Sequence, residues 1–159
     1  MNTDYDRIFG DIVFEDDGDI NAIQKAIDNG ININCTENSD GWNLLHYTLV
    51  PVRWAPNFEV VQCIVKNGGH INRQDRVGWT PLHFAARCGE DNIIEFLLQN
   101  EGDSNIKNQD GITPLHQYCL TKEINDSVVK LFLSFGATPT ENLKNHLTSI
   151  SSPTLEILA

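Results

Sequence analysis

The chain is short of positive charge, of long apolar runs and of any catalytic signature. Eleven lysines and arginines stand against 22 aspartates and glutamates, a formal net charge of −11 at pH 7. Such a surface repels the phosphates of nucleic acid and of anionic membranes alike, so neither is an expected partner. No run approaches the roughly 18 apolar residues that a membrane span requires. The opening MNTDYDRIFGD has neither the basic flank nor the apolar core of a secretory signal, and a cytoplasmic location is expected. Four cysteines, Cys35, Cys63, Cys88 and Cys119, show no close pairing. A domain of this size needs no disulfide staple, so reduced thiols are expected. No G-x-S-x-G, HExxH or phosphate-cradling glycine loop occurs. The expectation is therefore a chain with no catalytic, cofactor or metal site, and not an enzyme.

What is present is periodic. From Gly78 to Asn108 the sequence reads as a helix–turn–helix unit with a turn at each end. Thr80 is placed to cap a helix and Pro81 to fill its first position, where a missing N–H costs nothing. Leu82, Phe84, Ala85 and Ala86 form a short helix that Gly89 ends. Ile93, Ile94, Phe96, Leu97 and Leu98 give a second helix with a wide apolar face. The opening recurs as Gly111-Ile112-Thr113-Pro114-Leu115-His116, 33 residues further on, and more weakly as Gly41-Trp42-Asn43-Leu44-Leu45-His46, 37 residues earlier. The helix ends recur too, at Asn29-Gly30, Asn67-Gly68 and Phe135-Gly136. The order G-x-T-P-L-H, A-A-x-x-G and a closing L-L, with that period, resembles the ankyrin repeat.

The resemblance covers about residues 8–147 and implies an all-α ankyrin-repeat solenoid: about four helix-turn-helix repeats, 5–37, 38–74, 75–107 and 108–137, with degenerate terminal caps. One domain over 1–159 is expected, closed by a C-terminal half-repeat, 138–159. Thr138-Pro139-Thr140-Glu141 reads as a capping box that starts its helix. The second repeat carries four extra residues within Leu49–Pro56, and the fourth adds two around Leu120–Glu123. Insertions of this kind map to loops on one face of a repeat array. Glu101 replaces the glycine that usually follows the second helix, so Asn100 is expected to take the left-handed geometry. Asp91 stands where the family favours an apolar residue.

His46, His83 and His116 invite a metal reading, which spacing opposes. Equivalent positions in stacked repeats lie roughly 8–10 Å apart, while a metal ligand must approach to about 2 Å. The resemblance implies that these rings bond backbone near the turns instead.

The candidate site is a protein-binding one. In the family the residue after the turn glycine faces the groove, which here means Trp42, Trp79 and Ile112. Tryptophan is the residue type most enriched in binding hot spots; the alternative is that each ring packs on the adjacent hairpin. Arg87 and Cys88 occupy positions the family commonly uses for contacts, with Arg53 and Trp54 in the inserted loop and Arg76 in a hairpin. Tyr47, which follows His46, completes the set of candidate contact residues. The acidic excess is concentrated in residues 1–30, with Asp4, Asp6, Asp11, Glu15, Asp16, Asp17, Asp19 and Asp28 against Arg7 and Lys25. That end is either a solvated cap or a docking face for a basic partner. The expected function is a non-catalytic protein-interaction module, monomeric when unbound. One form is a dedicated binder or inhibitor of a basic protein, such as an immunity or antitoxin protein neutralising a toxin. The other is an adaptor, regulatory subunit or host-directed effector that positions partners without inhibiting them.

Overall fold

The structure, a computed structural model, describes residues 5–11, 20–50, 56–121, 124–149 and 152–158. Among these the secondary structure is helical throughout, with no strand. The helices are α1 (Tyr5–Gly10), α2 (Ile20–Asp28), α3 (Leu44–Thr48), α4 (Phe58–Lys66), α5 (Pro81–Cys88), α6 (Asp91–Gln99), α7 (Pro114–Cys119), α8 (Asp126–Ser134) and α9 (Glu141–Ser149), followed by a 3₁₀ turn, Pro153–Leu158. The chain divides into two compact units, Met1–Pro81 and Leu82–Ala159.

In the first unit α1 packs on α3, and α2 on α4. Phe9, Ile23, Leu44, Leu45, Val61 and Ile64 are fully buried there. Each such side chain contributes about 1.5–3 kcal/mol of burial. Ile20 of α2 is 37% exposed. It is the first residue of its helix, ahead of the turn that packs. Ile12, Val13 and Phe14 lie outside the described residues, as does most of the inserted loop of the second repeat. In the second unit α6 packs on α8 and α7 on α9, and the 3₁₀ turn seals α8 and α9. Leu97, Leu115, Val129, Phe132, Leu143 and Leu147 form its core.

Caps set where the helices begin. Asn43 opens α3 with a reciprocal box: its side chain accepts the His46 N–H at 3.1 Å, and its own N–H donates to His46 Nδ1 at 3.2 Å. Thr113 caps α7 through the His116 N–H, with Pro114 next in line. At the C-terminal end the expected cap needs correction. The cap of α9 is Thr140, whose hydroxyl accepts the Leu143 N–H at 3.2 Å, not Thr138. Thr138 is occupied elsewhere, because its N–H donates to Asn105 Oδ1 at 2.8 Å, while Asn105 Nδ2 donates to the Gly136 carbonyl at 2.8 Å. Asn34 makes the same amide clamp in the first unit, to the Gly68 carbonyl and the His70 N–H.

The helix ends carry a second correction. Gly30, Gly68 and Gly136 take φ of 85°, 85° and 83°, and the equivalent non-glycine with positive φ is Glu101, at 67°, rather than Asn100. The residue after each donates back to the helix, as in Ile31 to Ala26, Gly102 to Leu97 and Ala137 to Phe132. That six-residue closure fixes the left-handed site by counting from the last helical turn. It falls on Glu101 even though asparagine would tolerate the geometry better.

Candidate functional site

Each hairpin tip is built on a short polar side chain four residues before the candidate contact residue. Asn38 Oδ1 accepts the Trp42 N–H at 2.8 Å, and its Nδ2 donates to the Trp42 carbonyl. Asp75 accepts the Trp79 N–H at 2.7 Å and the Val77 N–H at 3.0 Å. Asn108 does the same for Ile112 and Asp110, at 2.9 Å each. These side chains replace backbone partners within the turn, the usual use of Asn and Asp there. They hold the residue after the turn glycine in one conformation.

The histidines tie one hairpin to the next. His46 Nε2 donates to the Trp79 carbonyl at 3.2 Å, and His83 Nε2 to the Ile112 carbonyl at 3.0 Å. A carbonyl only accepts, so neutral His46 bonds Trp79 with its proton on Nε2, the tautomer in which Nδ1 accepts the Asn43 N–H; Asn43 Oδ1 lies 2.6 Å from that same Nδ1. Burial pushes the His46 imidazole down to about 4, with the Trp79 carbonyl and the Asp75 carboxylate pulling the other way. At neutral pH the ring is an uncharged structural clamp.

Trp42 and Trp79 are both half-buried. The Trp42 indole N–H donates to Asp75 of the following hairpin at 3.1 Å, and its ring meets Tyr47 edge-on at 5.3 Å. Tyr47 is 6% exposed and also packs edge-on against Phe9 at 5.5 Å. The expectation that Tyr47 presents itself for contact is therefore corrected: it backs Trp42 from within. Arg76 is exposed and donates to the Asn38 carbonyl at 2.8 Å, so it braces two hairpins while its surface stays open. In the other unit Ile112 is half-buried and Arg87 is exposed, with the guanidinium 5.4 Å from the Phe84 ring centre. Phe84 itself is core, at 4% exposure. Arg53 and Trp54 lie outside the described residues.

The family model described as ankyrin repeats, in three copies, matches residues 12–108, more than half of the chain. The chain belongs to the ankyrin-repeat family. Several curated proteins are similar to it. The RelA-associated inhibitor of Mus musculus is 30% identical over 81 residues, which is 51% of this chain and 9% of that protein. Protein phosphatase 1 regulatory subunit 27 of Homo sapiens is 31% identical over 95 residues, 58% of this chain and 59% of that protein. The Notch-regulated ankyrin repeat-containing protein of Homo sapiens is 32% identical over 95 residues, covering 58% and 78% respectively. Of the first two relatives the match thus spans less than two thirds of their own length. Ankyrin repeats are protein–protein interaction modules. No helix among the described residues is long and apolar enough to cross a membrane.

Two sets of residues escaped the reading of the sequence. The ankyrin hairpin latches Asn38, Asp75 and Asn108 share a fixed offset of four residues before Trp42, Trp79 and Ile112, a signal legible once the tips are aligned. The second set joins the third and fourth repeats. Asp91 accepts the Tyr118 hydroxyl at 3.0 Å and the Asn125 side-chain amide at 2.9 Å. Burial raises the Tyr118 phenol to about 12, so it is a donor at any physiological pH. Of these three, Tyr118 is buried, Asp91 half-buried and Asn125 exposed.

Proposed function

We propose that the chain is a dedicated, non-catalytic binder and inhibitor of a basic protein, acting in the cytoplasm and monomeric until bound. An immunity or antitoxin protein is one concrete form. The observation that carries this reading is the pair of tryptophans at successive hairpin tips. Each has its backbone latched by Asn38 or Asp75, and each is half-buried. An aromatic anchor fixed before binding loses little conformational entropy on association, and tryptophan dominates binding hot spots. Arg76, Arg87 and Ile112 complete the contact set, with Arg53 and Trp54 of the inserted loop. Tyr47 supports Trp42 from behind.

The sign of the partner follows from charge. A chain of net charge −11 attracts a cationic surface, which raises the association rate and suppresses like-charged competitors. The names of two relatives, an inhibitor and a regulatory subunit, support a regulatory role. The test is affinity capture of the tagged chain from its native cells at low and at physiological salt. One stoichiometric basic partner is expected, held more weakly as salt rises. It should be lost in a Trp42→Ala, Trp79→Ala variant whose helical circular dichroism matches the parent. An acidic partner, or one that survives both substitutions, would overturn the reading.

A further inference from the structure

The cleft between the third and fourth repeats adds a specific element. It encloses about 580 Å³ and is bounded by Arg87, Cys88 and Gly89 at the end of α5, Asp91 at the head of α6, and Tyr118 and Asn125 across from them. We infer that this cleft receives a cationic side chain, lysine or arginine, of a protein partner. The inference rests on the proposed basic partner and deepens it.

Asp91 is the receptor group. Its carboxylate is held in one orientation by Tyr118 and Asn125, one donor on each oxygen, at 3.0 and 2.9 Å. A carboxylate offers about four lone-pair sites, so each oxygen keeps capacity for a second donor. Both bound donors are neutral and leave the full negative charge available. A guanidinium or ammonium arriving in the cleft would find a pre-oriented acceptor, the arrangement that makes charge-assisted hydrogen bonds strong.

Arg87 is the group that could oppose this, and it is already engaged. Its guanidinium lies over the Phe84 ring and its side chain hydrogen-bonds the Cys88 sulfur. Glu90 stands close enough to act on the same thiol and adds a second negative charge next to Asp91 in the chain. Cys88 contributes no reactivity, because burial raises its thiol and keeps it protonated. Thr121 adds a hydroxyl to the wall.

The probe is N-acetyl-arginine amide, titrated into the whole chain and followed by amide chemical shifts. N-acetyl-citrulline amide serves as the neutral isostere and N-acetyl-glutamate amide as the anion. Saturable shifts confined to Gly89, Asp91, Tyr118 and Asn125 are expected with arginine. Asp91→Asn, which keeps the shape and removes the charge, should weaken that binding by about tenfold. Equal binding of citrulline, stronger binding of the glutamate derivative, or no localised shift would overturn the inference. The arginine–citrulline contrast on the parent chain stands even if the variant folds poorly. A captured partner that is not basic would sink the proposed function without altering this titration, so the two failures are separable.

Discussion

His46 and His116 occupy the same place in their repeats and meet different neighbours. His46 is wholly buried, accepts from Asn43 on one nitrogen and donates to Trp79 of the next hairpin with the other. His116 is 7% exposed, and its ring faces His146 of α9 at 6.2 Å. Its Nδ1 is buried with no hydrogen-bond partner among the described residues. Burial lowers its basicity, and the second imidazole lowers it further. The same residue is thus a clamp where a hairpin follows and half of an imidazole pair where a capping helix follows. The role of a repeat position is written in the next repeat rather than in its own.

The contrast can be broken most forcefully by truncation. His46→Ala strips the Asn43 N–H and the Trp79 carbonyl of their partners and leaves a void, a loss of about 4 kcal/mol. Among the described residues His116 has no carbonyl bond of this kind to lose, and His116→Ala should cost about 1 kcal/mol. Urea unfolding midpoints of the two variants measure the difference.

Acid separates the two sites next. The folded-state value of His46, about 4, lies below its ordinary 6.5, so the unfolded chain takes up the proton first. The stability it contributes is complete above pH 6.5 and is lost as pH falls toward about 4. A shift of that size is worth about 3 kcal/mol. Thermal melts across this range should show the loss, and a His46→Gln variant should flatten that part of the profile.

The latches offer a finer comparison. Asp75 accepts from Val77, Trp79 and the Trp42 indole, whereas Asn108 serves its own hairpin alone. Asp75→Ala should therefore cost about 2 kcal/mol and Asn108→Ala about 1 kcal/mol. Only the first should shift the Trp42 fluorescence. The smallest effect has the opposite sign. Glu101 holds a left-handed conformation that its relatives Gly30, Gly68 and Gly136 adopt without strain. Glu101→Gly should stabilise by about 0.5–1 kcal/mol, while Gly68→Ala should destabilise by about 1 kcal/mol, through backbone strain alone because a methyl there meets no atom within 4 Å. Melting temperatures check both.

Local signals carried much of the fold. Thr113-Pro114 starts a helix as its chemistry demands, and Asn43 caps α3 as a short amide can. The family pattern, two T-P-L-H copies in register, was visible without coordinates. Where the reading went astray, a partner distant in sequence had intervened. Thr138-Pro139 looks like a helix start, but Asn105 claims the Thr138 N–H from 33 residues away. Tyr47 looks presentable until Phe9 and Trp42 close over it. Asp91 reads as a misfit in its repeat, and only Tyr118 and Asn125 give it a purpose.

The proposed binding role is tested most directly on the captured partner itself. Its own activity would be titrated with the purified chain, and then with the Trp42→Ala, Trp79→Ala variant. Inhibitory binding predicts that activity falls to nothing at one molar equivalent of the chain and is restored with the variant. A partner that stays bound and fully active past equivalence would contradict inhibition and make the protein an adaptor.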